Sequence, residues 1–206
     1  EYEPLEKEKA YRGTIGIPRV LNMYENYPFW FTFYTKLGFR VVLSGQSSKE
    51  MYESGMETIA SDTACYPAKL VHGHIRWLVD NGIKYIFYPS INYEQKEDES
   101  APNHYNCPIV ATYPELIANN MDDIFKENRV RFIHPFLPYD DDKRLAEEMT
   151  REMSELNIPK KEIEEAVKEA RKEYKAFRKD IVKKGEEALE YAKKNGKKAV
   201  VLAGRP

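Results

Sequence analysis

Three short apolar runs, each closed by turn residues and separated by helical stretches, constrain this chain most. Residues 14–20 set Ile15, Ile17 and Val20 among small or polar residues and stop around Pro18-Arg19. Residues 39–43 end in Ser44-Gly45-Gln46, and residues 84–88 end at Pro89-Ser90. Between these runs lie an aromatic helix over 29–37 closed by Gly38, a polar helix over 49–55, and a longer helix over 67–80 stopped by Asn81-Gly82. Parallel strands need a crossover of a dozen or more residues, usually a helix, so this alternation predicts a mostly parallel, doubly wound sheet in a three-layer α/β unit. Residues 131–137 predict a later strand, which Pro135 and Pro138 place at an edge or near its end.

Charge divides the chain. From residue 140 to 198 roughly half the residues are charged, whereas about 25% is ordinary for a globular protein. The expected organisation is an α/β lobe over 1–139, a charged helical connector over 140–196, and a strand over 197–206 that opens a second lobe. Asn26 before Pro28 predicts the start of the aromatic helix. Residues 94–100, without apolar periodicity, predict a mobile surface loop. A helix over 140–156, with acidic residues in its first turn, is broken at Ile158-Pro159. Ile163, Val167, Ala170, Tyr174, Phe177, Ile181 and Leu189 recur at three- to four-residue steps, which predicts one long amphipathic helix or two short ones over 160–195. The chain starts at Glu1 rather than Met and ends on a strand-like segment, so it reads as a piece of a longer protein.

Composition excludes several classes. With 42% hydrophobic residues, 15 Tyr and 9 Phe the chain is not wholly disordered. No apolar run approaches the ~18 residues of a membrane span. A net charge of −2 argues against electrostatic nucleic-acid binding. Two cysteines cannot form a disulfide framework, and no targeting segment is visible, which makes a cytoplasmic globular protein the default expectation. Phosphate-binding glycine loops, G-x-S-x-G and H-E-x-x-H are all absent from the sequence.

The chemistry-bearing candidates gather at predicted strand ends and helix starts. Cys65, between Ser61-Asp62-Thr63 and Pro67, and Cys107, directly before Pro108, both stand at helix mouths, the second helix expected to be interrupted near Pro114. Backbone N–H groups at a helix N-terminus favour a thiolate and donate to cluster sulfur. Two buried free cysteines behaving as small apolar residues are the plainer alternative. In an open α/β sheet ligands sit beyond the carboxyl ends of the strands, where Arg19, Asn22, Ser44 and Ser90 are expected to line a pocket. His104 could be an outer donor near Cys107. His72 and His74, two apart on a helix, point to different faces, one exposed and one half-buried. Asp140-Asp141-Asp142 fits a helix N-terminus better than a cation loop. The aromatic set from Tyr24 to Tyr34 exceeds what one buried helix face can use, so a partner surface or a cover over a ligand is expected.

The segments Ile15-Gly16-Ile17-Pro18-Arg19-Val20-Leu21, Ser61-Asp62-Thr63-Ala64-Cys65-Tyr66-Pro67-Ala68-Lys69, Asn106-Cys107-Pro108 and Val201-Leu202-Ala203-Gly204-Arg205-Pro206 resemble a domain of unknown function. That domain occurs in very large bacterial proteins described as acyl-CoA dehydratase activases or CoA-substrate-specific enzyme activases. It is similar in turn to the iron–sulfur subunits of 2-hydroxyacyl-CoA dehydratases and benzoyl-CoA reductases. The resemblance implies a Rossmann/flavodoxin-like lobe from an oxygen-sensitive protein of anaerobes. In such systems an ATP-hydrolysing activase domain, in the same or a partner chain, feeds a low-potential electron to a cluster protein. Cys65 and Cys107 would match the first two ligands of a 4Fe-4S cluster used in electron transfer, and acyl-CoA dehydratase subunits would be further partners. The third cysteine of the pattern and the ATPase motifs are missing here, so this piece is expected to be catalytically silent alone. A non-catalytic interaction module and a small-molecule-binding α/β lobe are the alternatives.

Overall fold

The computed structural model describes residues 2–202. Its centre is a parallel sheet of β1 (Thr14–Ile17), β2 (Arg40–Leu43), β3 (Tyr85–Phe87) and a fourth strand, β5 (Arg131–Ile133), in the spatial order β2-β1-β3-β5. Beyond β3 and β5 the chain continues into β4 (Ser90–Ile91) and β6 (Phe136–Leu137), which pair in parallel with each other. The expected strand over 131–137 is therefore split at His134-Pro135, where Pro135 cannot donate to a ladder. Strand order reverses between β1 and β3, which makes their carboxyl ends the switch point of the fold.

The helices are α1 (Met23–Lys36), α2 (Lys49–Gly55), α3 (Tyr66–Asp80), α4 (Pro108–Asn120), α5 (Asp122–Asn128), α6 (Asp142–Glu152) and α7 (Lys160–Lys194). The β1-to-β2 and β2-to-β3 crossovers run in opposite directions, so right-handed connections put α1 and α3 on opposite faces. α7 packs on α1 and α6 on α7; α2 and α4 pack on α3. The mostly parallel, three-layer α/β architecture is thus present. Gly16 in β1 is required by this packing, because a Cβ there would lie 2.8 Å from Ile83 and 3.0 Å from a Leu78 methyl at the end of α3.

The aromatic surplus of α1 has an internal use. Phe29, Trp30, Phe33 and Tyr34 are all buried: the Trp30 ring lies 4.7 Å from Phe87 of the sheet, while α7 covers the helix's outer face. Only Tyr24 and Tyr27 of the set keep appreciable exposure, so the expected free aromatic surface is not there. The helix also starts earlier than Asn26-Pro28 implies. It opens at Met23, with Pro28 inside it, and the Asn26 side chain is drawn away to Glu94 instead of capping. Pro114 likewise lies inside an uninterrupted α4.

The C-terminal region is a short helix, α6, followed by one long helix, α7. α6 begins at Asp142, where the Asp141 carboxylate accepts from the N–H groups of Lys143 and Arg144, as the acidic run predicts. α7 spans 35 residues without a break. Its first half buries Ile163, Val167, Ala170 and Tyr174; from Arg178 to Lys194 no side chain is fully buried. Arg171 is buried too, its guanidinium 4.5 Å from the Phe29 and Tyr139 ring centres and donating to Asp142 and the Tyr139 carbonyl. Residues 94–100 are not a free loop. Glu94 is gripped by asparagines, Gln95 donates to the Tyr139 carbonyl at 2.8 Å, and Glu97 pairs with Arg178. Residues 198–202 join no strand among the described residues, and the remainder of the expected final strand, 203–206, lies outside them.

Candidate functional site

Parallel strands force every strand-to-helix connection to open on one edge of the sheet, and the candidates collect there. Cys65 is the residue preceding α3 and Cys107 the residue preceding α4; their backbones are nearly identical, with φ −63°, ψ 152° and φ −56°, ψ 140°. Each is followed by a proline in the first turn, and at neither start does a side chain cap the free N–H groups. Cys65 is exposed and Cys107 half-buried, which sets aside the alternative of two core thiols.

The two helices are tied at matching depth. His72, seven residues into the chain from Cys65, lies 3.1 Å from the hydroxyl of Tyr113, six residues on from Cys107. Thr58 gives its proton to the Gly55 carbonyl, so His72 Nδ1–H donates to Thr58 Oγ1 and bare Nε2 accepts from Tyr113. Burial pushes His72 down to about 4 and Tyr113 up to about 12, the Cys65 charge adding to the latter. Both His72 and His74 are fully buried, contrary to the expectation from their spacing, because α2 and α4 both pack against α3. The contact is made possible by Gly73: a Cβ there would stand 1.8 Å from the Met51 carbonyl oxygen.

Two polar networks occupy the same edge. In the first, Glu94 accepts from the amides of Asn22 at 3.0 Å, Asn26 at 3.0 and 3.1 Å, and Asn106 at 2.7 Å. Asn106 also donates to the Ile91 carbonyl, so the residue before Cys107 is fixed to the sheet end. In the second, the Arg19 N–H donates to Ser44 Oγ at 2.7 Å, Ser44 lies 2.8 Å from His74 Nδ1, and His74 Nε2 lies 3.0 Å from Ser47 Oγ. Burial, with the Arg19 charge nearby, pushes His74 down to about 4, so the ring is neutral at pH 7.

Of the sequence-predicted residues, Arg19 and Ser44 belong to the second network and Asn22 to the first. Ser90 is buried with its hydroxyl unpaired. His104 is engaged elsewhere, 3.5 Å from Asp140 and packed on Tyr93. His134, just past the end of β5, lies 2.8 Å from the Glu115 carboxylate. Sequence reasoning missed Glu94, Asn26, Asn106, Ser47 and Tyr113. Asn106 directly before Cys107 was the available signal; the others come together only through tertiary packing. Among the described residues no three His, Cys, Asp or Glu side chains converge to hold a metal, and no helix is long and apolar enough to cross a membrane.

A family model described as a CoA enzyme activase uncharacterised domain matches residues 14–206. Comparison with curated proteins and with solved structures gives no match.

Proposed function

Because the chain belongs to the CoA enzyme activase uncharacterised domain family, we propose that it is the lobe of an activase system that presents Cys65 and Cys107 to an iron–sulfur cluster. The observation that carries this reading is the equivalence of the two cysteines: the same backbone conformation, the same position directly before a helix with proline in its first turn, the same edge of the sheet. The donor set fits such a group in part. Two accessible thiols beside unshared helix N–H groups are soft ligands with hydrogen-bond donors close by, and a 4Fe-4S cluster takes four ligands, so the rest come from outside the described residues. When bound, the cluster supplies a one-electron store whose potential is set by burial and by N–H groups donating to sulfur.

The chain's own residues do the positioning. His72 and Tyr113 lock α3 to α4 and keep the two helix starts level. Glu94, through Asn106, holds the backbone entering Cys107. The partners this reading requires are an ATP-hydrolysing activase domain as electron source, in the same polypeptide or another, and acyl-CoA dehydratase subunits as acceptors. Anaerobic reconstitution of the intact protein with iron and sulfide, then reduction with dithionite, tests it. The expected result is a paramagnetic cluster signal that disappears in Cys65→Ala and in Cys107→Ala. A signal that survives both substitutions, or wild-type protein that takes up no iron, refutes it.

A further inference from the structure

A small pocket of about 200 Å³ opens at the carboxyl edge of β1 and β2, beside the start of α3. Its polar lining is Arg19, Ser47 and His74, with the Tyr24 ring at one side; Val20 and Leu70 are among its apolar walls. Neither cysteine lines it, so it stands independently of the cluster reading. The Arg19 guanidinium has no acidic partner among the described residues and rests 5.4 Å from the centre of the Tyr24 ring.

The direction of the hydrogen bonds shows what the pocket offers. Ser44 is 3% exposed and already accepts from the Arg19 N–H, and the one acceptor within its reach is His74 Nδ1. Ser44 therefore donates to Nδ1, which places the neutral ring's single proton on Nε2. Nε2–H donates to Ser47 Oγ; the Tyr24 hydroxyl lies 3.3 Å from the same oxygen, and whichever way that bond runs, one hydroxyl of the exposed Ser47–Tyr24 pair keeps a proton to give. The chain of bonds ends in an outward donor. Guanidinium and hydroxyl thus face the pocket as donors, no carboxylate lines it, and the first turn of α3 adds the positive end of a helix dipole through Pro67. An anion is the complement. At ~30 Å³ per water the space equals six or seven waters, and much of its wall is apolar.

We propose that this pocket binds a small carboxylate with a short apolar tail, its oxygens held by the Arg19 guanidinium and the Ser47 hydroxyl. The group is the length of a three- to five-carbon acid, with the tail against Val20 and Leu70.

Calorimetric or NMR titration of the iron-free full chain tests this, with butanoate, butan-1-ol and inorganic phosphate as probes. Butanoate is expected to bind saturably, and butan-1-ol about tenfold or more weaker, as loss of a charge-assisted contact implies. Arg19→Gln is expected to weaken butanoate about tenfold and Ser47→Ala several-fold. Arg76→Gln, on the exposed side of α3, and Cys65→Ala leave it unchanged. Far-ultraviolet circular dichroism confirms that each variant is folded. Equal binding of the alcohol, tighter binding of phosphate, or full affinity in both Arg19→Gln and Ser47→Ala overturns the proposal. Because no iron is present, failure here leaves the cluster reading standing, and the reverse holds too.

Discussion

Replacing Glu94 by Ala removes the one acceptor shared by three asparagine amides, and its cost can be worked from burial. Asn26 is 1% exposed and Asn22 8% exposed, and neither amide has another acceptor among the described residues; Asn106 keeps the Ile91 carbonyl. Two buried amides left unpaired at about 1–3 kcal/mol each give roughly 2–6 kcal/mol, a large share of the ~5–15 kcal/mol that holds a domain together. For a chain of this size each kcal/mol moves Tm by about 2–4 °C, so a fall of roughly 5–20 °C is expected. The effect is also local. Asn106 precedes Cys107, so Glu94→Ala is expected to speed alkylation of Cys107 in the native state while leaving Cys65 unchanged. Urea denaturation and differential alkylation with mass spectrometry read both effects. Glu94→Gln, which retains one acceptor oxygen, is expected to lie between wild type and Glu94→Ala. A stability loss below about 1 kcal/mol with unaltered Cys107 reactivity would refute the view that this carboxylate pins the edge of the sheet.

Three further outcomes follow from the same geometry. His72 and His74 have folded values near 4 against about 6.5 unfolded, so the unfolded chain binds more protons between those pH values. Their contribution is full above pH 6.5 and is lost as pH falls towards 4, on the order of 3 kcal/mol per ring; the urea midpoint should drop from pH 7.5 to 5, less steeply in His72→Gln, and a flat profile contradicts it. Gly73→Ala sets a methyl against the Met51 carbonyl, backbone that cannot move aside alone, and should cost about 1–3 kcal/mol or more while loosening α2, seen as faster hydrogen exchange over residues 49–58. Deleting residues 183–206 removes no fully buried side chain among the described residues, so Tm should change by no more than about 2–4 °C; a larger fall would mean the distal half of α7 packs on the body.

Local pattern and tertiary contact divide what the sequence reveals here. The sheet strands are short apolar runs ended by Pro18, Ser44 and Pro89, and period-two burial with turn chemistry makes such runs legible. α2 at Lys49–Gly55 is equally legible, because Ser48 accepts from the Met51 N–H in an N-cap that a sequence displays. Both cysteines could be placed at helix starts because Pro67 and Pro108 mark first turns. What could not be read is which helix covers which. The aromatic excess of α1 looks like a surface until α7 lies over it, and the histidines look half-exposed until α2 closes over Gly73. Residues 94–100 look unstructured because the hold on Glu94 comes from Asn22 and Asn26, about seventy residues earlier in the chain. The acidic Glu94 gives no local hint of its role, since its partners are neutral amides rather than charges.

The central claim, that Cys65 and Cys107 serve one cluster, is tested most directly by the iron bound per chain after anaerobic reconstitution of the intact protein and of three variants. Cys65→Ala, Cys107→Ala and the double variant are expected to lose iron to a similar extent, because ligands to one cluster act as a unit. Iron content equal to wild type in either single variant would contradict the claim.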